Sequence, residues 1–264
     1  MSARLAVRGI TMRFGGVVAL EDISFEAQSG RVLGIMGPNG AGKTTLFNVI
    51  SGVQKPTRGT VVLDETLLTG HGVAWIAGRG VTRTFQTPMM FWGLDVRESI
   101  AAALAAREFG GIFPPAALRS LVPSGFGWPA RRAADAALRE RAGALLESMG
   151  IAALAERPTE TLSFGEERFL ELARALAIEP KMLLLDEPLS GLNPDEVELV
   201  LQTIVRARDA GIGVLLVEHA VGELLSVADR VVVLDHGRKI AEGAAREVAA
   251  DPAVIDAYIG DELG

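Results

Sequence analysis

Gly37-Pro38-Asn39-Gly40-Ala41-Gly42-Lys43-Thr44 satisfies G-x-x-x-x-G-K-[ST] in full and decides how the chain is read. The residues before it, 32–36, form a β-rich apolar run, and 43–52 follow with Leu46, Val49 and Ile50 at helical spacing. A strand, a glycine turn and a helix in that order make a phosphate cradle. Gly37, Gly40 and Gly42 let successive backbone N–H groups converge on phosphate oxygens, where Cβ atoms would obstruct the approach, and Asn39 lies within the same loop. The helix N-terminus adds partial positive charge. Lys43 can reach the terminal phosphates, and Thr44, with Thr45 beside it, can offer a hydroxyl to Mg²⁺.

A second segment completes the chemistry. Met182-Leu183-Leu184-Leu185-Asp186-Glu187 is an apolar strand ending in two acids, which places both carboxylates at the carboxyl edge of a sheet, where ligands of such folds sit. Asp186 would hold Mg²⁺ through water, and Glu187 would orient and deprotonate an attacking water. The two segments together predict nucleoside-triphosphate hydrolysis.

Outward from these motifs, short strands are expected at 5–10, 23–27, 32–36 and 60–63. Later, helices at 168–178, 196–210 and 221–227 alternate with strands at 182–185, 213–217, 231–234 and 238–241. Alternation of this kind implies a parallel sheet covered on both faces. The middle differs: 96–107 and 130–149 are Ala-rich helical patterns, the second with Leu138, Ala142, Leu145 and Met149 on one face. The irregular, apolar segment 109–129 lies between them. Composition bounds the rest. The 264 residues carry 26 basic and 33 acidic side chains, a net charge of −7, with no cysteine. An acidic chain is a poor match to a nucleic-acid backbone, so no nucleic-acid partner is expected. Disulfides and thiolate chemistry are excluded. Mean hydropathy is +0.29, yet no stretch approaches the ~20 apolar residues of a membrane span. The first residues carry no secretory signal pattern, and the chain is not expected to span a membrane by itself, which leaves docking on a membrane protein open.

Three further segments carry a resemblance. Leu162-Ser163-Phe164-Gly165-Glu166 opens a helix, with Ser163 as its N-cap and Glu166 three residues later completing a capping box; Ser190-Gly191-Leu192-Asn193 follows the acidic pair, and His219, preceded by Glu218, follows the strand at 213–217. In the order phosphate loop, Gln86, LSFGE, LLLDEP, SGLN, His219, the chain resembles the ATP-binding cassette (ABC) ATPases over nearly its whole length. The resemblance implies an α/β P-loop (RecA-like) ATPase core with an antiparallel β subdomain and an inserted helical subdomain. Its divisions would be 1–88, 89–161 and 162–264. It also implies roles. Ser163 and Gly165 would meet the γ-phosphate held by the opposite subunit. Gln86 would sense Mg²⁺ and water, and His219 would contact the γ-phosphate. Phe14 lies where the family keeps an aromatic on the adenine; by its own pattern it reads equally as a core aromatic. The cofactors implied are ATP and Mg²⁺.

Departures from the family pattern are Phe164 for Gly, Glu166 for Gln and Asn193 for Asp. The first two would place bulk and negative charge near the phosphate bound in trans. Within the family, Gly78–Gln86, Val217-Glu218-His219 and the tail 251–260 are similar to the ATPase subunits of bacterial branched-chain amino acid importers. The lipopolysaccharide-export ATPase shares a similar tail. That resemblance implies transmembrane permease subunits, a second ATPase subunit and, indirectly, a periplasmic solute-binding protein as partners. The chain would then lie at the cytoplasmic face of the inner membrane. Met89-Met90-Phe91-Trp92, an apolar cluster, reads either as the groove for a permease helix or as packing within the helical insertion.

Overall fold

The computed structural model describes residues 3–84, 93–108 and 128–262, with the side chains of 108, 128–134 and 258–262 left aside. Gln86 and the 89–92 cluster lie outside the described residues, as does 109–127. The chain divides into two compact units. One comprises Met1–Gln86, Pro180–Ser190 and Leu201–Gly264; the other comprises Thr87–Glu179 and Gly191–Val200.

The first unit holds two sheets. Strands β1 (Arg4–Phe14), β2 (Val17–Gln28), β4 (Arg58–Leu63) and β5 (Thr66–Leu67) form a four-stranded antiparallel sheet in the order β2-β1-β4-β5. The second sheet takes β3 (Val32–Met36), β6 (Val81–Arg83), β7 (Met182–Asp186), β8 (Gly213–Val217), β9 (Arg230–Asp235) and β10 (Arg238–Ala244). Its order is β10-β9-β3-β8-β7-β6, and every pair is parallel except β10 with β9. Central strands buried on both faces must be apolar throughout rather than alternating. Every residue of β3, β7 and β8 is buried. Helix α1 (Lys43–Ile50) directs Leu46, Phe47, Val49 and Ile50 into the same core as Ile35, Leu184 and Leu215.

Among the elements of this unit that escape the periodicity of the sequence are helix α2 (Val73–Ala77) and the three-residue edge strand β6. Both are too short to show a period.

The second unit is helical, with α3 (Val96–Glu108), α4 (Trp128–Met149) and α5 (Phe164–Ala177). In α4 the buried residues are Leu138, Ala142, Leu146 and Met149, so Leu146 takes the place expected of Leu145. The pair are adjacent on the helix, and a spacing of four from Ala142 turns Leu146 inward. Helix α6 (Pro194–Asp209) begins in this unit. The first unit resumes within it at Leu201 and goes on to carry α7 (Val221–Val227), α8 (Ala245–Val248) and α9 (Pro252–Glu262). Among the described residues no helix is long and apolar enough to cross a membrane.

Candidate active site

The phosphate loop leaves β3 at Gly37 and enters α1 at Lys43. Gly37, Gly40 and Gly42 have φ of 146°, 79° and 101°, values that side chains resist. A Cβ on Gly37 would lie 2.1 Å from the Leu234 carbonyl oxygen, and one on Gly42 would lie 2.7 Å from Leu20 Cδ2. At Gly40 nothing stands within 4 Å, so that side of the loop is open. Gly42 caps α1 without any side-chain hydrogen bond, which leaves the positive end of the helix to a ligand. Lys43 is buried, and its Nζ donates to the Gly37 carbonyl at 2.6 Å and the Pro38 carbonyl at 2.9 Å. The ammonium thus lies folded over the loop that it would share with a triphosphate.

A cavity of about 200 Å³ opens above this loop, lined by Ala19, the stretch 39–45, Glu187 and His219. Glu187 follows the last residue of β7 with a left-handed backbone, φ 52°, and its amide donates to the Val217 carbonyl at 2.9 Å. Non-glycine residues rarely adopt that conformation, and it persists where the surroundings over-determine it. His219 leaves β8 beside it, and its Nε2 lies 2.9 Å from Glu187 Oε1. The parallel register of β7 with β8, which pairs Asp186 with Val217, delivers these two side chains to the same sheet edge.

Asp186 is buried, its Oδ2 accepting from Arg83 Nη2 at 2.7 Å. Its Oδ1 is also buried and meets no hydrogen-bond donor among the described residues. A buried carboxylate oxygen without a partner is costly, so it points to a cation. Magnesium is commonly bound by one or two carboxylates plus substrate phosphates. Asp186 and the Thr44 hydroxyl on the cavity wall fit that donor set. When bound, magnesium neutralises phosphate charge. The chain's own groups then have defined capacities: amides and Lys43 bind, Glu187 can take a proton from water, and His219 can hold Glu187 in place.

Other expected residues are not among those lining the cavity. Phe14 is 45% exposed at the end of β1, opposite the exposed Val17, and does not line the cavity. Its reading as a core aromatic is therefore set aside. Ser163 and Gly165 belong to the second unit, at the start of α5. Ser163 makes a reciprocal cap with Glu166: its amide donates to Glu166 Oε2 at 2.7 Å and its Oγ accepts from the Glu166 amide at 3.3 Å. Burial pushes the Glu166 carboxyl up, but bonds to Ser163 and the nearby Arg157 outweigh that and hold it below its ordinary value. The charge expected to burden a phosphate is thus turned onto Ser163 and Arg157. Phe164 stays 48% exposed, with the Arg168 guanidinium 5.2 Å from its ring centroid. Asn193 caps α6, its Oδ1 accepting from the Glu196 amide at 3.1 Å. Arg83 was not singled out by the sequence, because its partner stands 103 residues away.

A phosphate loop, Glu187 and His219 around one cavity, with the buried Asp186 directly before Glu187, define a P-loop nucleotide hydrolase. The chain belongs to the ABC transporter family, whose model matches residues 20–190; that of the branched-chain amino acid ATP-binding cassette transporters matches 238–263. It is 37% identical over 258 residues to the high-affinity branched-chain amino acid transport ATP-binding protein LivG of Salmonella typhimurium, covering 97% of this chain and 98% of that one. Identity to the lipopolysaccharide export ATP-binding protein LptB of Escherichia coli is 32%, covering 99% of each. Among solved structures, MJ1267, an ATP-binding cassette of an ABC transporter in its ADP conformation, is similar with a TM-score of 0.79. That chain is 31% identical, and the match covers 98% of this chain and 99% of the other.

Proposed function

We propose that this ABC ATPase is the energy-coupling subunit of an importer for branched-chain amino acids or a related small polar solute. The observation that carries the catalytic part is the cavity shared by the Lys43 loop, Glu187 and His219. In this reading the loop amides and Lys43 grip the phosphates, Thr44 and Asp186 hold Mg²⁺ with Gln86, and Glu187 primes water. His219 contacts the γ-phosphate and keeps Glu187 aligned, and Phe14 offers an exposed ring to the adenine. Ser163 and Gly165, on a helix end of their own, meet the nucleotide of a second ATPase subunit. Transmembrane permease subunits receive the motion through the helical subdomain, 89–161, at the cytoplasmic face of the membrane. A periplasmic solute-binding protein acts indirectly.

The importer assignment is supported by the match at 238–263 and by the higher identity to LivG than to LptB. The test is co-expression with candidate permease subunits, followed by phosphate release in vesicles with and without leucine and its binding protein. Stimulation by leucine sustains the reading; a complex that responds only to a lipid substrate replaces it with export. For the isolated chain, Glu187→Gln should retain MgATP and accumulate as a dimer. A variant that stays monomeric at saturating MgATP removes the two-subunit arrangement.

A further inference from the structure

Strand β8 is buried along its whole length, and the residue that leaves it, Glu218, is buried too, at 4% exposed. An ionisable carboxyl in that place is expensive. Burial is the main reason its pKa is raised to about 7, with Glu187 and Glu223 adding repulsion and the amides of Leu189 and His219 opposing both. The geometry explains what the carboxyl does there. Glu218 Oε1 accepts from the Leu189 amide at 2.7 Å, a buried bond joining two loops 29 residues apart. Two residues earlier, the Glu187 amide donates to the Val217 carbonyl at 2.9 Å. The short loop 187–189 is therefore pinned to the end of β8 at both of its ends. Between the pins Glu187 holds its left-handed backbone, and across them His219 Nε2 meets Glu187 Oε1 at 2.9 Å.

We propose that Glu218 is a positioning residue for hydrolysis: it anchors the loop that carries Glu187 and so fixes where that carboxylate meets His219 and water. The inference rests on the ATPase reading of the site. Without the second pin the loop can relax from φ 52° towards ordinary backbone, a change that re-aims the Glu187 side chain. Glu218 lines no part of the cavity, so the nucleotide grip by the Lys43 loop is left intact. The expected signature is a loss in turnover without a loss in binding.

The test uses the full-length chain as Glu218→Gln and Glu218→Ala. Glutamine keeps a carbonyl acceptor for the Leu189 amide but sets an NH₂ against a second backbone donor; alanine removes both contacts. Turnover should fall in the order Glu, Gln, Ala, by about 10- to 100-fold for alanine, while KM for MgATP stays within about threefold. Nucleotide-free hydrogen exchange should show the Leu189 amide opening about tenfold or more in the alanine variant and less in the glutamine variant. The Thr84 amide, bonded to the Leu184 carbonyl at 3.0 Å, serves as the unmoved control. Alanine at wild-type turnover, KM rising in step with the loss, or unchanged Leu189 exchange overturns the proposal. Should alanine fail to fold, glutamine carries the same comparison. A wild-type chain that releases no phosphate overturns the ATPase reading instead, and the exchange measurement tells the two failures apart.

Discussion

Arg83 and Asp186 form a buried ion pair at 2.7 Å, with side chains 6% and 0% exposed. The same guanidinium donates to Asn48 Oδ1 at 2.6 Å and Ser51 Oγ at 3.3 Å, and lies 5.7 Å from the Phe47 ring centroid. One short edge strand, the far end of α1 and the acid at the end of β7 are thus joined through a single planar cation. Arg83 occupies one carboxylate oxygen, and the other meets no hydrogen-bond donor among the described residues, which is the oxygen the proposed function gives to magnesium. Arginine suits the position: its charge is permanent and its donors form a rigid fork.

Removing that cation strands Asp186 as a buried, uncompensated charge. Breaking a buried pair typically costs about 3–5 kcal/mol. Arg83→Met should lose stability on that scale in urea unfolding, and Asp186→Asn in the Arg83→Met background should recover part of it. A loss below about 1 kcal/mol would mean that water reaches the pair.

Lys43 spends its donors on the Gly37 and Pro38 carbonyls, so Lys43→Ala acts on ligand and loop together. Charge-assisted bonds contribute about 1.5–3 kcal/mol each, which predicts roughly a 10- to 100-fold weaker MgATP interaction by calorimetry. Turnover should fall by a further 10²–10³, about the cost of losing one group aimed at transition-state charge. Affinity within threefold of wild type would show that the amides alone hold the phosphates.

The loop glycines should separate by experiment. Gly37→Ala places a Cβ against the rigid Leu234 carbonyl at 2.1 Å, so backbone must move and folding should suffer measurably in thermal denaturation. Gly40→Ala meets no atom within 4 Å and pays only for its φ of 79°, on the order of 1 kcal/mol. It should fold, and its Cβ, projecting on the open side, should cut phosphate affinity. Equal melting temperatures for the two variants would contradict the packing described.

How much of this was legible follows from where each signal is stored. Asp186, Glu187 and His219 sit at or just after the ends of apolar strands, Lys43 and Thr44 open α1 behind the glycine loop, and strands β3, β7 and β8 announce themselves by continuous burial. Their motifs are local, so the sequence states them. Arg83 could not be read, since its meaning is a contact across 103 residues from a strand of three. Glu166 was legible as the far half of a capping box with Ser163, which the helix forms; its contact with Arg157 was not. Leu145 and Leu146 differ by one position on a helix face, a choice that tertiary packing makes. Phe14 was undecided by pattern because it closes a strand, where alternation no longer tells inside from outside.

Glu218 gives a pH dependence whose sign can be stated. Its ordinary value is 4.5 and in the folded chain burial lifts it to about 7. Between those values the native state keeps a proton that the unfolded chain has lost, so this group's contribution is full at low pH and disappears as pH rises through about 7. At 1.36 kcal/mol per pH unit the whole effect is at most about 3 kcal/mol. Exposed carboxylates held low, such as Asp64 and Glu26, work in the opposite direction, which is why a difference must be measured. The stability of wild type minus that of Glu218→Gln should be most favourable to wild type near pH 5 and fall towards pH 8 in urea titrations. A difference that stays constant over that range would show that the carboxyl is ionised throughout, its charge carried by the Leu189 and His219 amides rather than resisted by burial.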